Sequence, residues 1–519
     1  MNREKIFPLA IIFFTLLCVG LDAPRCAETA PEIPKADSMH KSIDTGPGAK
    51  AEEKLSVTHH TLKLAGGGLL SYCATAGYLR LLDESGKPQA DIFFTAYTAE
   101  GETGARPVTF AFNGGPGASS VWLHMGIAGP VRVITGEKVP SGPPCSASPN
   151  PYCWLPWTDL VFIDPVGAGF SRSIPAGDAK RYFNTRDDIR SVGDFIQLYI
   201  DRFNRWSCLK FLAGESYGAT RTAGLLGHLY ENFGIEIDGL ILISPALDLS
   251  IIHPDPSIDL PYMLFVPSYA ATAWYHKKTG PEFRSGLTEV LAQAERWTIE
   301  EYLPALAKGN NLSSRDADRI AARLANLAGL PELFIRNRNI RIPGSEFMAE
   351  LLRSEGLSLG LMDGRTTRRA MGGGFFNDPA MATTIGPYTE ALNGYMQDVL
   401  HFSAGIPYVF LSQEANSEWN WGAAFSEYDA VKSIRQAVNR NGRLKILAAA
   451  GYFDLDIPYF ATTYIMTHLG IAPERQANIK VRFFRGGHMF YTSSEVLEEF
   501  TSEIGRFFAE ITGPGPAIP

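Results

Sequence analysis

Short apolar runs recur in the first half of the chain and again near its end, and most of them stop at a turn that contains glycine, proline or aspartate. Runs of this kind are typical of strands that are buried on both faces of a parallel sheet. The predicted strands are residues 107–112, 160–163, 209–212, 240–244, 444–450 and 479–484. Ahead of them, the alternating segments 79–82 and 90–97 flank a turn and predict a hairpin.

Helical patterns separate several of these strands. Apolar residues from Ile189 to Ile200 recur at helical spacing and predict a helix over residues 185–204, and residues 493–511 predict a closing amphipathic helix. Strands that alternate with helices predict the α/β class, with a mostly parallel sheet and helices on both of its faces.

The alternation stops over residues 250–404, where helical patterns cover 287–302, 314–327 and 345–355. Because the strands resume afterwards, we interpret this stretch as an inserted helical cap rather than a free-standing second domain. The predicted organisation is a first part of the core at 56–249, the cap at 250–404, a second part of the core at 405–512 and a tail at 513–519.

The N-terminus differs from the rest of the chain. Residues 1–5 include a basic start, and residues 7–21 carry no charge and are almost wholly apolar. The apolar stretch is short for a membrane span and is typical of a secretory signal. We predict a signal peptide at 1–27, a flexible linker at 28–55 and a secreted or periplasmic protein, with an uncleaved membrane anchor as the alternative.

The composition and charge of the chain limit the kinds of binding partner that we expect. The chain has 519 residues, 45% of them hydrophobic, and a net charge of −8. A large core is therefore possible, and neither nucleic acid nor an anionic membrane is expected as a partner beyond the signal segment. No spacing of His or Cys predicts a metal site, and no cofactor is expected. The sequence carries no signal for an oligomeric state.

Neither the cysteines nor the glycine clusters predict a catalytic or ligand-binding site. Cys145 and Cys153 flank a turn-rich segment and could close a small disulfide loop, whereas Cys73 and Cys208 have no evident partner. The glycine clusters at 65–68 and 371–374 do not join a strand to a helix, so we predict loops rather than phosphate-binding sites.

The segment Gly214-Glu-Ser-Tyr-Gly218 lies between the predicted strand that ends near residue 212 and a helical pattern. This context predicts a nucleophile elbow, in which a sharp strand-to-helix turn lifts Ser216 above the sheet of an α/β-hydrolase. The glycines permit the close approach of strand and helix. The first N–H of the helix, at Tyr217, is expected to help hold a developing oxyanion.

A serine nucleophile needs a base and an orienting carboxylate, and both follow late strands in this fold. His488 follows the strand at 479–484 in a glycine-rich loop, which favours it as the base. Asp454 and Asp456 both follow the strand at 444–450. We favour Asp454 as the orienting group and interpret Asp456 as a carboxylate that starts the next helix. The loop Asn113–Gly117 is expected to supply the second oxyanion N–H.

Four segments, in this order, resemble the motifs of the serine carboxypeptidases: Phe112-Asn-Gly-Gly-Pro-Gly-Ala-Ser-Ser120, Asp164-Pro-Val-Gly-Ala-Gly-Phe-Ser171, Gly214-Glu-Ser-Tyr-Gly218 and Gly486-Gly-His-Met489. The resemblance implies an α/β-hydrolase core with a helical insertion and hydrolysis of a C-terminal peptide bond in an acidic working range. It also implies the roles of particular residues: a triad of Ser216, Asp454 and His488, oxyanion N–H groups of Gly115 and Tyr217, and binding of the substrate's terminal carboxylate by Asn113, Gly114 and Glu215.

Glu215 would have to be protonated to donate a hydrogen bond to a carboxylate, and burial favours that state. Three positions depart from the family pattern. Tyr452 replaces the first aspartate of the usual Gly-Asp-x-Asp, and Ala118 replaces a cysteine. Ile127 stands where the family has a second carboxylate-binding glutamate, so the expected clamp is only half present.

The sequence therefore predicts an exported serine carboxypeptidase whose partner is a peptide substrate and which acts through an acyl-enzyme. An esterase or acyltransferase on the same scaffold is the main alternative, since the missing glutamate would permit it. A catalytically silent binding protein is a third hypothesis, which the intact triad and oxyanion glycines disfavour.

Overall fold

A computed structural model describes residues 54–101, 105–134, 146–369, 378–422 and 428–513. The predicted signal peptide, nearly all of the linker, Cys145, the glycines at 372–374 and the last six residues lie outside these ranges. Within the described ranges, no helix combines the length and the apolar character needed to cross a membrane. Cys73 and Cys208 are free thiols.

The strands, in chain order, are β1 (Leu55–Lys63), β2 (Leu69–Leu82), β3 (Pro88–Ala99), β4 (Val108–Phe112), β5 (Val131–Arg132), β6 (Ser148–Pro149), β7 (Asp159–Ile163), β8 (Arg172–Ser173), β9 (Lys210–Glu215), β10 (Gly239–Ile243), β11 (Leu357–Leu359), β12 (Thr367–Arg369), β13 (Lys445–Gly451) and β14 (Ile479–Phe484). Six of them match the strands predicted from apolar runs. β2 and β3 pair as the predicted hairpin, with Leu79 opposite Ile92.

One large sheet has the order β1-β2-β3-β7-β4-β9-β10-β13-β14, and β8 pairs with β3. The strands from β1 to β7 in this order are antiparallel to their neighbours, and those from β7 to β14 are parallel. Parallel strands end at the same edge of a sheet, so the segments that follow β4, β9, β13 and β14 meet there.

Alternate residues of the central strands enter two separate apolar cores, as the period of a strand requires. The first core contains Phe110, Leu212, Leu240, Leu242, Ile446 and Ala448. The second core contains Ala111, Phe211, Ala213, Ile241, Ile243, Leu447 and Ala449. The sheet is thus covered on both faces, which confirms the predicted α/β class.

The helices are α1 (Val121–Leu123), α2 (Thr185–Arg202), α3 (Tyr217–Phe233), α4 (Leu260–Tyr275), α5 (Leu287–Trp297), α6 (Leu303–Ala307), α7 (Ser314–Ala328), α8 (Glu332–Arg336), α9 (Gly344–Glu350), α10 (Pro379–Ala382), α11 (Ile385–Gly394), α12 (Gln413–Ser417), α13 (Ala430–Arg440), α14 (Tyr459–Thr467), α15 (Pro473–Gln476) and α16 (Ser494–Thr512). Helices α2, α3 and α13 contribute to the first core, and α16 contributes to the second. The helices predicted at 185–204 and 493–511 are both confirmed.

Between β10 and β13 the described chain is mainly helical, from α4 to α13, and contains one short hairpin of β11 and β12. The predicted helical segments correspond to α5, α7 and α9. After this helical stretch, the chain returns to the loops at the edge of the sheet: Leu411 pairs with Ala118, and Val409 pairs with Gly169.

A buried ion pair joins α2 to α3 beneath the Ser216 turn. Arg221 donates from Nε to Oδ2 of Asp188 at 2.8 Å and from Nη2 to Oδ1 at 3.1 Å. Its remaining Nη1 donates to the Asn113 carbonyl at 2.7 Å. The two side chains are 0% and 4% exposed. The pair therefore connects both helices to the loop that follows β4.

Replacing Arg221 by Met should lower the free energy of unfolding by roughly 3–5 kcal/mol, because Asp188 would stay buried without its cation. The matched control is Arg190→Met. Arg190 pairs with Asp187 of the same helix, but the two side chains are 59% and 28% exposed. This substitution should cost less than about 1 kcal/mol. Urea denaturation measures both, and equal losses would contradict the prediction.

Candidate active site

Ser216 occupies the sharp turn between β9 and α3, with φ 58° and ψ −128°. The left-handed region is strained for a serine, and such strain is typical of a nucleophile elbow. The flanking glycines make the turn possible. A Cβ on Gly214 would lie 2.3 Å from the Gly218 carbonyl oxygen, and a Cβ on Gly218 would lie 2.8 Å from the Phe112 carbonyl oxygen.

The loop after β4 presses against this turn. A Cβ on Gly114 would lie 2.5 Å from the Tyr217 nitrogen and 2.6 Å from the Gly218 nitrogen. Gly115 has φ +97°, which a residue with a side chain rarely adopts. The backbone of Gly114 and Gly115 is thereby held beside the first N–H groups of α3, an arrangement suited to an oxyanion.

His488 and Asp454 form a buried pair at the ends of β14 and β13. Nδ1 of His488 lies 2.7 Å from Oδ2 of Asp454. The other oxygen of Asp454 accepts from the backbone N–H groups of Asp456 and Ile457, both at 2.9 Å. Burial works against the charged imidazole, but the Asp454 carboxylate outweighs it and raises the pKa of His488.

Ser216 and His488 open into the same pocket, which has a volume of about 230 Å³. The pocket is lined by Asn113, Gly114, Gly115, Ala118, Trp122, Glu215, Ser216, Met362, Met381, Leu411, Asn416, Asp456, His488 and Met489. Methionine, leucine and tryptophan form its apolar wall, and the polar groups gather at the edge of the sheet. Most of the residues singled out from the sequence thus meet in one cavity. Tyr217 and Asp454 lie behind its lining.

Glu215 is buried beside the nucleophile, and its Oε2 accepts two hydrogen bonds. One comes from Nδ2 of Asn113 at 2.8 Å, and the other comes from the hydroxyl of Tyr491 at 2.7 Å. Burial raises the pKa of Glu215 to about 7, although the charge of His488 and both hydrogen bonds act in the opposite direction. A neutral carboxyl group in this pocket can donate a hydrogen bond to a carboxylate.

Asp456 does not start a helix, which corrects the interpretation from sequence. Helix α14 begins at Tyr459, its N-cap is Pro458, and no side chain caps it. Asp456 instead lines the pocket together with His488. Burial raises its pKa to about 6, and the charge of His488 opposes this shift. The chain turns inward at residues 454–457 because Asp454 binds two backbone N–H groups there.

Ile127 and Tyr452, two of the positions that depart from the family pattern, lie in different surroundings from each other. Ile127 is buried in the second core, on a π-helical turn at His124–Ala128. Tyr452 packs its ring against Tyr459. Tyr491 was not singled out from the sequence. Its only signal is its position three residues after His488, which does not reveal the direction of its side chain.

Comparison with known proteins agrees with this geometry. Residues 68–251 match the sequence profile of a family described as serine carboxypeptidase. Over these residues, the chain is similar to the serine carboxypeptidase family. The resemblance read from the motifs is confirmed.

Two curated relatives illustrate the extent of the match. Serine carboxypeptidase-like 34 of Arabidopsis thaliana is 31% identical over 195 residues, which are 33% of this chain and 35% of that protein. Carboxypeptidase Y of Saccharomyces cerevisiae is 29% identical over 167 residues, which are 31% of this chain and 28% of that protein. The chain therefore spans about a third of the length of the curated relatives it matches.

The fold extends further than the sequence match. The crystal structure of Kex1(Δ)p, a prohormone-processing carboxypeptidase from Saccharomyces cerevisiae, aligns with a TM-score of 0.53 at 17% identity and covers 84% of this chain and 91% of that chain. This likeness confirms the α/β-hydrolase fold. Among the described residues, no group of three or more His, Cys, Asp or Glu side chains is arranged to hold a metal ion.

The close approach at the Ser216 turn leads to a stability test. Gly218→Ala should destabilise the protein by roughly 1–3 kcal/mol, because its Cβ would overlap the backbone after β4. Gly227→Ala in the same helix is the control, since its Cβ would have no neighbour nearer than 3.9 Å. That substitution should be neutral or should stabilise by up to about 1 kcal/mol. Thermal unfolding compares the two, and an unchanged Tm for Gly218→Ala would refute the packing argument.

Proposed function

We propose that this protein is an exported serine carboxypeptidase that hydrolyses C-terminal peptide bonds through an acyl-enzyme. The observation that carries the proposal is the shared pocket, into which a serine on a strained turn, a histidine paired with a buried aspartate and a carboxyl group with a raised pKa all open. The similarity of residues 68–251 to the serine carboxypeptidase family adds support.

The proposed chemistry uses the groups that this pocket brings together. His488 takes the proton of the Ser216 hydroxyl as Oγ attacks the scissile carbonyl carbon, and Asp454 keeps the imidazole oriented and stabilises its charged form. The oxyanion forms beside the N–H groups of Gly115 and Tyr217. His488 then gives the proton to the leaving amine, and water repeats the sequence on the acyl-enzyme, which releases the shortened peptide.

We assign recognition of the substrate's terminal carboxylate to Asn113, Gly114 and Glu215. Asn113 and neutral Glu215 can both donate hydrogen bonds, and Gly114 lets the backbone approach the substrate closely. An ionised Glu215 would repel the terminal carboxylate, so binding requires the neutral form. This requirement sets an upper pH limit for the binding of a free-acid substrate.

An esterase or acyltransferase is the second candidate, favoured by the apolar surroundings of Ile127 where the family has a glutamate. A peptide and its C-terminal amide separate the candidates, because only the carboxypeptidase should prefer the free acid. Labelling of Ser216 by a fluorophosphonate separates both enzymes from a silent binding protein.

The proposal of export rests on the apolar segment at 7–21. Cell fractionation with N-terminal sequencing of the mature protein tests it and separates cleavage from anchoring.

Substitutions at the triad should reduce turnover without unfolding the protein. Ser216→Ala and His488→Ala should each lower kcat by roughly four orders of magnitude or more. Asp454→Asn should be nearly as severe, since it removes the partner of the imidazole. The matched Asp456→Asn should have a mild effect. A larger loss at Asp456 than at Asp454 would reverse the assignment of the two aspartates.

The pH dependence should separate free-acid peptides from esters that lack a carboxylate. Both substrates need neutral His488, so the ratio of their kcat/KM values isolates Glu215. Because the pKa of Glu215 is raised to about 7, this ratio should be constant at lower pH and fall above that value. The fall should approach about tenfold per pH unit.

Glu215→Gln provides the control for this measurement. Its amide donates a hydrogen bond at every pH, so the ratio should lose its pH dependence. A wild-type ratio that does not change between pH 5 and pH 9 would remove Glu215 from carboxylate binding.

A further inference from the structure

Tyr491 is a hydrogen-bond partner of Glu215. It belongs to a short 3₁₀ turn, Phe490–Thr492, that connects the His488 loop to α16. Its side chain is fully buried, and its hydroxyl donates to Oε2 of Glu215 at 2.7 Å. Burial raises the pKa of Tyr491 well above its usual value, so the hydroxyl remains a donor throughout the working range.

Asn113 donates to the same oxygen, and its orientation is fixed by its other contacts. Its Oδ1 accepts from the Leu123 backbone N–H at 3.0 Å, which directs Nδ2 towards Glu215. Its carbonyl accepts from Arg221. Oε2 of Glu215 therefore receives two fixed donors. A proton on a neutral Glu215 belongs on Oε1, because Oε2 already accepts both bonds.

We propose that Tyr491 is a positioning residue for substrate carboxylate binding: together with Asn113 it holds Oε2 of Glu215 and leaves the protonated Oε1 to donate to the terminal carboxylate. This inference rests on the proposed carboxypeptidase function and deepens it. Ile127 stands where the family has its second carboxylate-binding glutamate. Tyr491 would thus compensate for the absence of that glutamate, with a neutral hydroxyl donor instead of a second acid.

The packing around Ile127 supports this replacement. A Cβ on the adjacent Gly126 would lie 2.8 Å from Cε2 of Tyr491 and 2.8 Å from the Tyr388 hydroxyl. Glycine at this position therefore leaves room for the Tyr491 ring beside the π-helical turn. Ile127 itself is buried in the apolar second core. A glutamate there would require a polar partner, whereas a tyrosine ring packs in apolar surroundings and presents one hydroxyl.

Within the described part of the chain, four titratable groups face Glu215. His488 and Asp454 follow β14 and β13, Tyr491 lies on the turn before α16, and Tyr388 lies on α11. Of the two tyrosines, Tyr491 donates a hydrogen bond to Glu215, and that bond favours the ionised carboxylate. Removal of this hydroxyl should therefore raise the pKa of Glu215, and it should also release Oε2 from its fixed position.

Tyr491→Phe tests the proposal, with Tyr388→Phe as the matched control. At acidic pH the Tyr491 variant should bind free-acid peptides with a KM about tenfold higher, while ester hydrolysis stays within about twofold of wild type. The pH at which the peptide-to-ester ratio falls should move upwards. Tyr388→Phe should leave both unchanged. Equal losses of activity on the peptide and the ester would overturn the role of Tyr491. So would a peptide-to-ester ratio that falls at the same pH as in wild type.

An infrared measurement separates failure of this inference from failure of the proposed function. If wild type does not prefer a free-acid peptide over its amide, the carboxypeptidase proposal is wrong. The carbonyl band of neutral Glu215, identified by its absence in Glu215→Gln, still tests the contact in the folded protein. In Tyr491→Phe this band should move to higher frequency and titrate at higher pH. An unchanged band would show that Tyr491 does not hold Glu215.

Discussion

The site depends on the close packing of three backbone segments at the Ser216 turn. β9 delivers the chain to the edge of the sheet, α3 leaves at once, and the loop after β4 presses against both. Gly114, Gly214 and Gly218 make this contact possible, since a Cβ on any of them would lie within 3 Å of backbone atoms. The strained φ of Ser216 is held by this packing. Ser216 and the N–H groups beside it are therefore positioned by one constraint.

Charge is distributed unevenly among the acids buried around this turn. Asp188 has a bidentate partner in Arg221, and Asp454 has His488 and two backbone N–H groups. Glu215 accepts its two hydrogen bonds from neutral groups, the amide of Asn113 and the hydroxyl of Tyr491. Burial consequently dominates at Glu215 and raises its pKa to about 7. Burial thus accompanies an ion pair at Asp188 and a raised pKa at Glu215, because only Asp188 has a bidentate arginine partner.

The sheet brings together parts of the chain that lie inside and outside the region matched by the family profile. The family match ends at residue 251, and Asp454 and His488 lie far beyond it. They reach Ser216 because β13 and β14 add to the parallel half of the sheet beside β10. The intervening helices contribute to the pocket as well. Met381 from α10 and Asn416 from α12 line it, and Leu411 pairs with Ala118 of the loop after β4.

The sequence by itself determined the strands, the elbow and the pair of candidate carboxylates after β13, because these follow from local patterns: apolar runs, glycine at tight turns, and polar residues just past strand ends. It did not decide which way side chains in the later loops point. The sequence pattern predicts Asp456 at a helix start, whereas it lines the pocket, and no sequence pattern predicts a contact of Tyr491 with Glu215. Both side chains face distant segments of the chain: Asp456 lines the pocket together with His488, and Tyr491 donates to Glu215. Such contacts exist only once the sheet has assembled, so only the tertiary structure decided them.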